Sequence, residues 1–133
     1  MVSALLSRLH DAQNRFYGGD TDVDFSSVLS GDVVWTVPGH SSIAGEYRGI
    51  DEVVAYFVRR RLIADATFQM SNIDILTGDG PLVAAVTNGS ATIDNEPQAW
   101  STIGLYRIEH DKIAACWLLP LDPTRFDAIW TST

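Results

Sequence analysis

From Phe68 onward the chain consists of four apolar runs separated by turn residues, and this alternation limits the second half to strands joined by short connections. The spacing predicts strands at Phe68 to Leu76, Leu82 to Ile93, Gln98 to Glu109 and Lys112 to Leu121. Thr77-Gly78-Asp79-Gly80-Pro81 closes the first of these, and short turns make the neighbours antiparallel. Asn88-Gly89 is by itself a two-residue hairpin signal that would split the second strand. The alternative is one long strand, bulged at Gly89 and turning at Asp94-Asn95-Glu96-Pro97.

The first half has a different period. Leu5, Leu6, Leu9, Phe16 and Tyr17 fall on one side of a helix ended by Gly18-Gly19, and Phe25, Val28 and Leu29 suggest a short second helix. Val33 to Val37 reads as a strand stopped by Pro38-Gly39. Gly49 precedes Ile50-Asp51-Glu52, whose carboxylates suit a helix N-terminus, and Val53, Val54 and Phe57, then Leu62 and Ile63, supply its buried side. Helices followed by strands give an α+β fold, with helices on one face of an antiparallel sheet. At 133 residues the chain is expected to be one domain spanning 1–133.

Charge narrows the partners. With a formal charge of −8 and Lys112 as its one lysine, the chain offers little to release counterions from a phosphate backbone, so no nucleic-acid partner is expected. Arg59-Arg60-Arg61 is read as cations in the last turns of the Ile50 helix, complementing its dipole. No apolar run is long enough for a membrane span and no secretory signal precedes the first helix, so a soluble, cytoplasmic protein is expected. Cys116 lies in the run from Ile113 to Leu121 and reads as a small core residue. The Asn88-Gly89-Ser90 sequon carries little weight without a signal. His10, His40 and His110 show no paired spacing, so no metal site is expected, and no phosphate loop or dinucleotide fingerprint is present.

Val34-Trp35-x-x-Pro38-Gly39, followed by Ile43-Ala44-Gly45-x-Tyr47-x-Gly49-x-Asp51-Glu52-Val53, resembles the SnoaL-like branch of the superfamily that includes nuclear transport factor 2 and ketosteroid isomerase. Tyr106-Arg107-Ile108, Lys112-Ile113, Trp117, Asp122 and Phe126-Asp127 are similar to the closing segments of that family. The resemblance implies a cone-shaped nuclear transport factor 2-like fold, in which N-terminal helices and a curved antiparallel sheet enclose a pocket. It does not fix the chemistry, since such folds host isomerases, cyclases, hydrolases and non-catalytic proteins.

The residues separate these possibilities in part. Where the resemblance to ketosteroid isomerase places a catalytic aspartate, this chain has Val37, and near the expected oxyanion-hole carboxylate it has Gly104; only Tyr17 could match a hydroxyl donor. Arg107 has no aspartate on its strand face to match limonene epoxide hydrolase. The resemblance to SnoaL-like polyketide cyclases implies a cofactor-independent aldol or proton-transfer reaction, with Asp122 as the base and His40 as acid or donor. Each has a structural alternative: Asp122-Pro123 is also a helix cap, and His40 a solvated loop histidine. The pocket is expected to bind a flat, apolar or aromatic small molecule through Tyr17, Trp35, Tyr56, Phe57, Met70, Trp100, Tyr106, Trp117, Phe126 and Trp130. A non-catalytic binding or dimeric interaction module of the same fold is the alternative. Both faces of the last strand are apolar, which implies a homodimer through the sheet face or a C-terminal segment folded over it.

Overall fold

A computed structural model describes residues 2–131. Helix α1 (Val2–Tyr17) ends at Gly18-Gly19, and a 3₁₀ turn (Phe25–Ser27), capped by the Asp24 carboxylate, leads into β1 (Leu29–Val37). Then follow β2 (Gly45–Arg48), α2 (Gly49–Ile63), β3 (Gln69–Thr77), β4 (Leu82–Ile93), β5 (Glu96–Glu109), β6 (Lys112–Pro120) and α3 (Pro123–Trp130). Helix α2 begins with acidic Asp51 and Glu52, and Glu52 Oε1 reaches back to accept the Arg48 N–H at 2.9 Å.

The α+β architecture is as expected, with three corrections. The six strands form one curved, unclosed sheet in the order β2-β1-β6-β5-β4-β3, and the central β1–β6 pair is parallel, so the sheet is mixed. The hairpin and meander signals could not reveal this, because β1 and β6 are joined through the whole intervening chain. The short β2 was read as part of a turn; Gly45–Arg48 pairs antiparallel with β1 from Val37↔Gly45 to Val34↔Arg48. The Phe25 segment makes a single 3₁₀ turn rather than a second α-helix.

β4 is unbroken. Its register with β5 runs continuously from Leu82↔Arg107 to Ile93↔Glu96, through Asn88↔Ser101 and Gly89↔Trp100, so Asn88-Gly89 is neither turn nor bulge. Glycine is needed there because a Cβ would fall 2.5 Å from the Trp100 indole, which lies flat over the strand. The reversal uses Asp94-Asn95 (φ 54° and 66°), and the next hairpin His110-Asp111 (φ 52° and 62°), both two-residue turns with left-handed centres.

Inward-facing residues of the sheet meet α1, α2 and α3 in one core. Leu6, Leu9, Phe16 and Tyr17 of α1 pack with Phe57 of α2 and with Trp35, Tyr106 and Cys116 of the sheet. Helix α3 places Phe126, Ile129 and Trp130 against Trp100 and Phe68, on the same inner side, so the C-terminal segment plugs the sheet's concave end and leaves the outer face alone. The buried side of α2 is Val53, Tyr56, Phe57 and Arg60, whereas Leu62, expected inside, is 72% exposed. Among the described residues no helix is long and apolar enough to cross a membrane.

Candidate functional site

Strand alternation sends Thr87 and Gly89 of β4, and Trp100, Thr102 and Tyr106 of β5, to the concave face. Helical spacing puts His10 and Gln13 of α1 opposite them, on the stripe that ends in Tyr17, and Arg60 of α2 one turn beyond Tyr56 and Phe57. Trp35, Phe68, Met70 and Leu118 complete the lining of an enclosed cavity of about 20 Å³. The open hollow expected from the aromatic content is thus largely filled by the rings themselves. Tyr17 stacks on Phe68 with centroids 4.3 Å apart, and Phe68 and Trp130 each contact Trp100.

The lining is unusual in its polar atoms. His10 Nδ1, Trp35 Nε1 and Arg60 Nε are buried on this cavity without hydrogen-bond partners, Trp130 Nε1 is buried unpartnered nearby, and the Tyr17 hydroxyl is engaged by Arg60 and Gln13. Leaving such a group unpaired costs about 1–3 kcal/mol, so several of them around one cavity are a concentrated cost. The pairs that are made are His10 Nε2 with Tyr106 Oη at 3.2 Å, Thr87 Oγ1 with Thr102 Oγ1 at 3.0 Å, and Arg60 Nη1 donating to Tyr56 Oη at 3.0 Å. A clasp closes one side: Asn14 Nδ2 donates to the Met70 carbonyl at 3.0 Å and Asn14 Oδ1 accepts the Met70 N–H at 2.8 Å, tying α1 to the edge strand β3.

Burial sets the protonation states. It lowers the His10 pKa to about 4, against the opposing pull of Asp11, so the imidazole is neutral at neutral pH. It pushes the Tyr17 phenol up to about 12, against the Arg60 guanidinium, and raises Tyr56 and Tyr106 further still. The cavity therefore holds a neutral imidazole, protonated phenols and one guanidinium.

Of the residues expected to bind a ligand, Trp35, Met70, Trp100 and Tyr106 line the cavity. Tyr17, Tyr56, Phe57, Phe126 and Trp130 are fully buried in the rings packed around it. Trp117 is elsewhere: it pairs with Leu105 and Thr36, residues of the opposite face from Tyr106 and Trp35, and lies half-buried on the outside of the sheet. His40 and Asp122 are not among the lining residues. His40 is exposed on the turn after β1, where its backbone N–H is bound by Asp127 Oδ2 at 3.1 Å. Asp122 is exposed and caps α3, accepting the Arg125 N–H at 3.1 Å. Asp122→Ala is accordingly expected to cost about 1 kcal/mol of stability while Asp122→Asn, an equally good cap, costs almost nothing; urea titration of both variants checks this.

His10, Gln13 and Arg60 were not expected from the sequence. The signal was available: His10 and Gln13 share the stripe of Leu6, Leu9 and Tyr17, and Arg60 continues the 53-56-57 spacing of α2, which sets it apart from its exposed neighbour Arg59. A wider open groove of about 430 Å³ is lined by Gln69, Ser71, Asn88, Ser90, Ala99 and Ser101 together with Met70, Gly89 and Trp100, which also line the cavity. Its polar groups are exposed, and Ser101 Oγ already donates to Asn88 Oδ1 at 2.5 Å, so it has no buried demand for a ligand. Among the described residues no group of three or more His, Cys, Asp or Glu is placed to hold a metal ion.

Comparison with known proteins follows the same line. A SnoaL-like domain family model matches residues 7–116. No curated protein sequence matches the chain. Among solved structures the chain is similar to Bal32a from a soil-derived mobile gene cassette, at 18% identity and a TM-score of 0.83, over 95% of each chain. It is also similar to TerC co-crystallised with polyporic acid, at 12% identity and a TM-score of 0.75, over 96% of this chain and 98% of that one. A third is IdmH of Streptomyces antibioticus, a proposed polyketide cyclase, at 16% identity and a TM-score of 0.71, over 90% and 91%.

Proposed function

The chain belongs to the SnoaL-like family, and on that premise we propose that it binds a flat, mostly apolar small molecule on the concave side of the sheet and acts on it as a cofactor-independent cyclase or isomerase. The observation that carries this reading is the convergence of His10 Nδ1, Trp35 Nε1 and Arg60 Nε, all unpartnered, on one aromatic-lined cavity. Two of the similar structures support it by what they concern, one co-crystallised with polyporic acid and one proposed as a polyketide cyclase.

A cavity of about 20 Å³ has room for roughly one water, so a ring-sized ligand requires it to expand. The wall with least to lose is β3, an edge strand whose side chains are mostly exposed; its moving away from α1 breaks the two Asn14–Met70 bonds and leaves His10 on Tyr106. Inside, His10 is the group placed to take a carbon-bound proton, with Tyr106 holding its Nε2. Asp122 and His40 stand outside the lining, at the exposed ends of α3 and β1, and take no part in this step.

The test is a thermal-shift screen of the purified chain against aromatic polyketides, steroids and terpenoids. At least one flat compound should raise the melting temperature in proportion to its concentration over its Kd. Absence of any shift from the whole panel would sink the reading. Turnover, once a ligand is in hand, should fall by about 100-fold or more in His10→Gln and stay near wild type in Asp122→Asn.

The non-catalytic interaction module is favoured by a different observation. Leu76, Leu82 and Leu119 are exposed on the outer face of the sheet, around half-buried Trp117, Leu105, Ile103 and Val86. A face of this kind fits a second copy of the chain. The protein is expected to sediment as a dimer and Leu119→Glu as a monomer; a wild-type monomer at micromolar concentration would remove the dimer from the reading.

A further inference from the structure

Arg60 is the one formally charged side chain among the buried described residues, at 4% exposure. Its guanidinium carbon lies 4.4 Å from the Phe68 ring centroid and 4.5 Å from that of Trp130, with Tyr56 at 5.5 Å and Tyr17 at 5.9 Å. The ion pairs among the described residues, Arg15–Asp20, Arg48–Glu46 and Arg107–Glu109, all leave it out. The neighbours on α1, α2 and α3 and before β3 are Tyr17, Tyr56, Trp130 and Phe68, and the two phenols are held protonated by burial. Among the described residues no anion is paired with it.

Removing a guanidinium from water without a counter-charge is expensive, and ring faces return only part of that cost. An anion arriving from outside would balance that charge. Two groups of the lining agree on the sign. Arg60 Nε–H and Trp35 Nε1–H can only donate and both are unpartnered, while the Gln13 amide is turned to the Tyr17 hydroxyl and His10 Nδ1 is left free to take a proton. β1 and α2 thus each bring a donor to one small volume, while no carboxylate is among the residues that line it.

We propose that the ligand of this cavity is a flat conjugated acid whose ionised oxygen, a carboxylate or an acidic enol or phenol, is received by Arg60 with Trp35 and His10 beside it. The assignment rests on the small-molecule reading above and narrows it from an apolar ligand to an anionic one. It also gives His10 a working role. An anion seated beside the imidazole raises its proton affinity from the depressed value that burial imposes, which brings it toward the range useful for proton transfer.

The experiment compares acids with their neutral amides of equal shape, benzoate with benzamide and 2-naphthoate with 2-naphthamide, by calorimetric titration of the wild-type chain and of Arg60→Met. The acid should bind at least about tenfold more tightly than its amide in wild type, the difference expected of one charge-assisted contact, and this preference should vanish in Arg60→Met. Amide and acid binding wild type equally, or an acid preference that survives in Arg60→Met, overturns the anionic assignment and leaves the small-molecule reading standing. Failure of all four probes to bind, together with a blank thermal-shift panel, overturns both.

Discussion

Lowering the pH from 7 to 4 is expected to remove about 3 kcal/mol of folding stability through His10 alone. The folded chain keeps this imidazole neutral down to about pH 4, whereas in the unfolded chain it takes up a proton near the ordinary histidine value of 6.5. Between those values the unfolded state binds more protons, so stability rises with pH across the window, is complete above it, and is lost as pH falls through it. Asp24 and Asp32 are held low by bonds from Ser26 and Ser30, and their contribution disappears only at more acidic pH. Urea titrations at several pH values, on wild type and on His10→Gln, decide the matter: the variant should show a nearly flat profile from pH 7 to 5. An unchanged slope in the variant would mean that His10 is hydrated, and that the cavity is not closed around it.

The second large effect separates function from stability at Arg60. Arg60→Met keeps a long side chain between Phe68 and Trp130 but removes a buried charge that no carboxylate among the described residues pairs with, at the cost of the donor to Tyr56 Oη that Arg60→Ala loses too. Replacing an uncompensated buried charge by an apolar chain of similar length is expected to leave stability unchanged or raise it by about 1–4 kcal/mol, seen as a melting temperature several degrees higher. Arg60→Ala, which leaves a void and takes the donor from Tyr56 Oη, should instead lose about 2 kcal/mol. A stabilised Arg60→Met that no longer distinguishes an acid from its amide is the pattern of a residue kept for its ligand. If Arg60→Met were destabilised by more than about 2 kcal/mol, the stacked guanidinium would be a structural keystone and its charge incidental.

Much of this organisation was readable in advance, and the misses have physical causes. β4 and β5 followed from long apolar runs, and the Asp122-Pro123 cap from local chemistry that needs no tertiary context. β2 is four residues with Glu46 and Arg48 on an edge, too short and too polar to show a period. Asn88-Gly89 carries a turn signal because glycine's usual reason is conformational, yet the long-strand reading is the right one: here the reason is a neighbouring indole on the adjacent strand. Arg60 was concealed by Arg59 and Arg61, since a run of three cations suggests a solvated end, and only the helical period shows that the middle one turns inward. Polar atoms on a buried stripe, His10 and Gln13, were passed over for the opposite reason, that apolar neighbours drew attention to the core.

The place of β6 between β1 and β5 has a consequence for how the chain acquires its shape. The hairpins β3–β4 and β4–β5 join near neighbours in sequence, but β1 and β2 gain their link to that meander only through Lys112–Pro120, which emerges from the ribosome after nearly everything it connects. Until then the chain is two sheets with raw edges, Trp35 has no Cys116 beside it, and the chamber has no back wall. Assembly is therefore committed late and across long loops, a topology that folds slowly for its size and exposes strand edges to wrong partners while it waits.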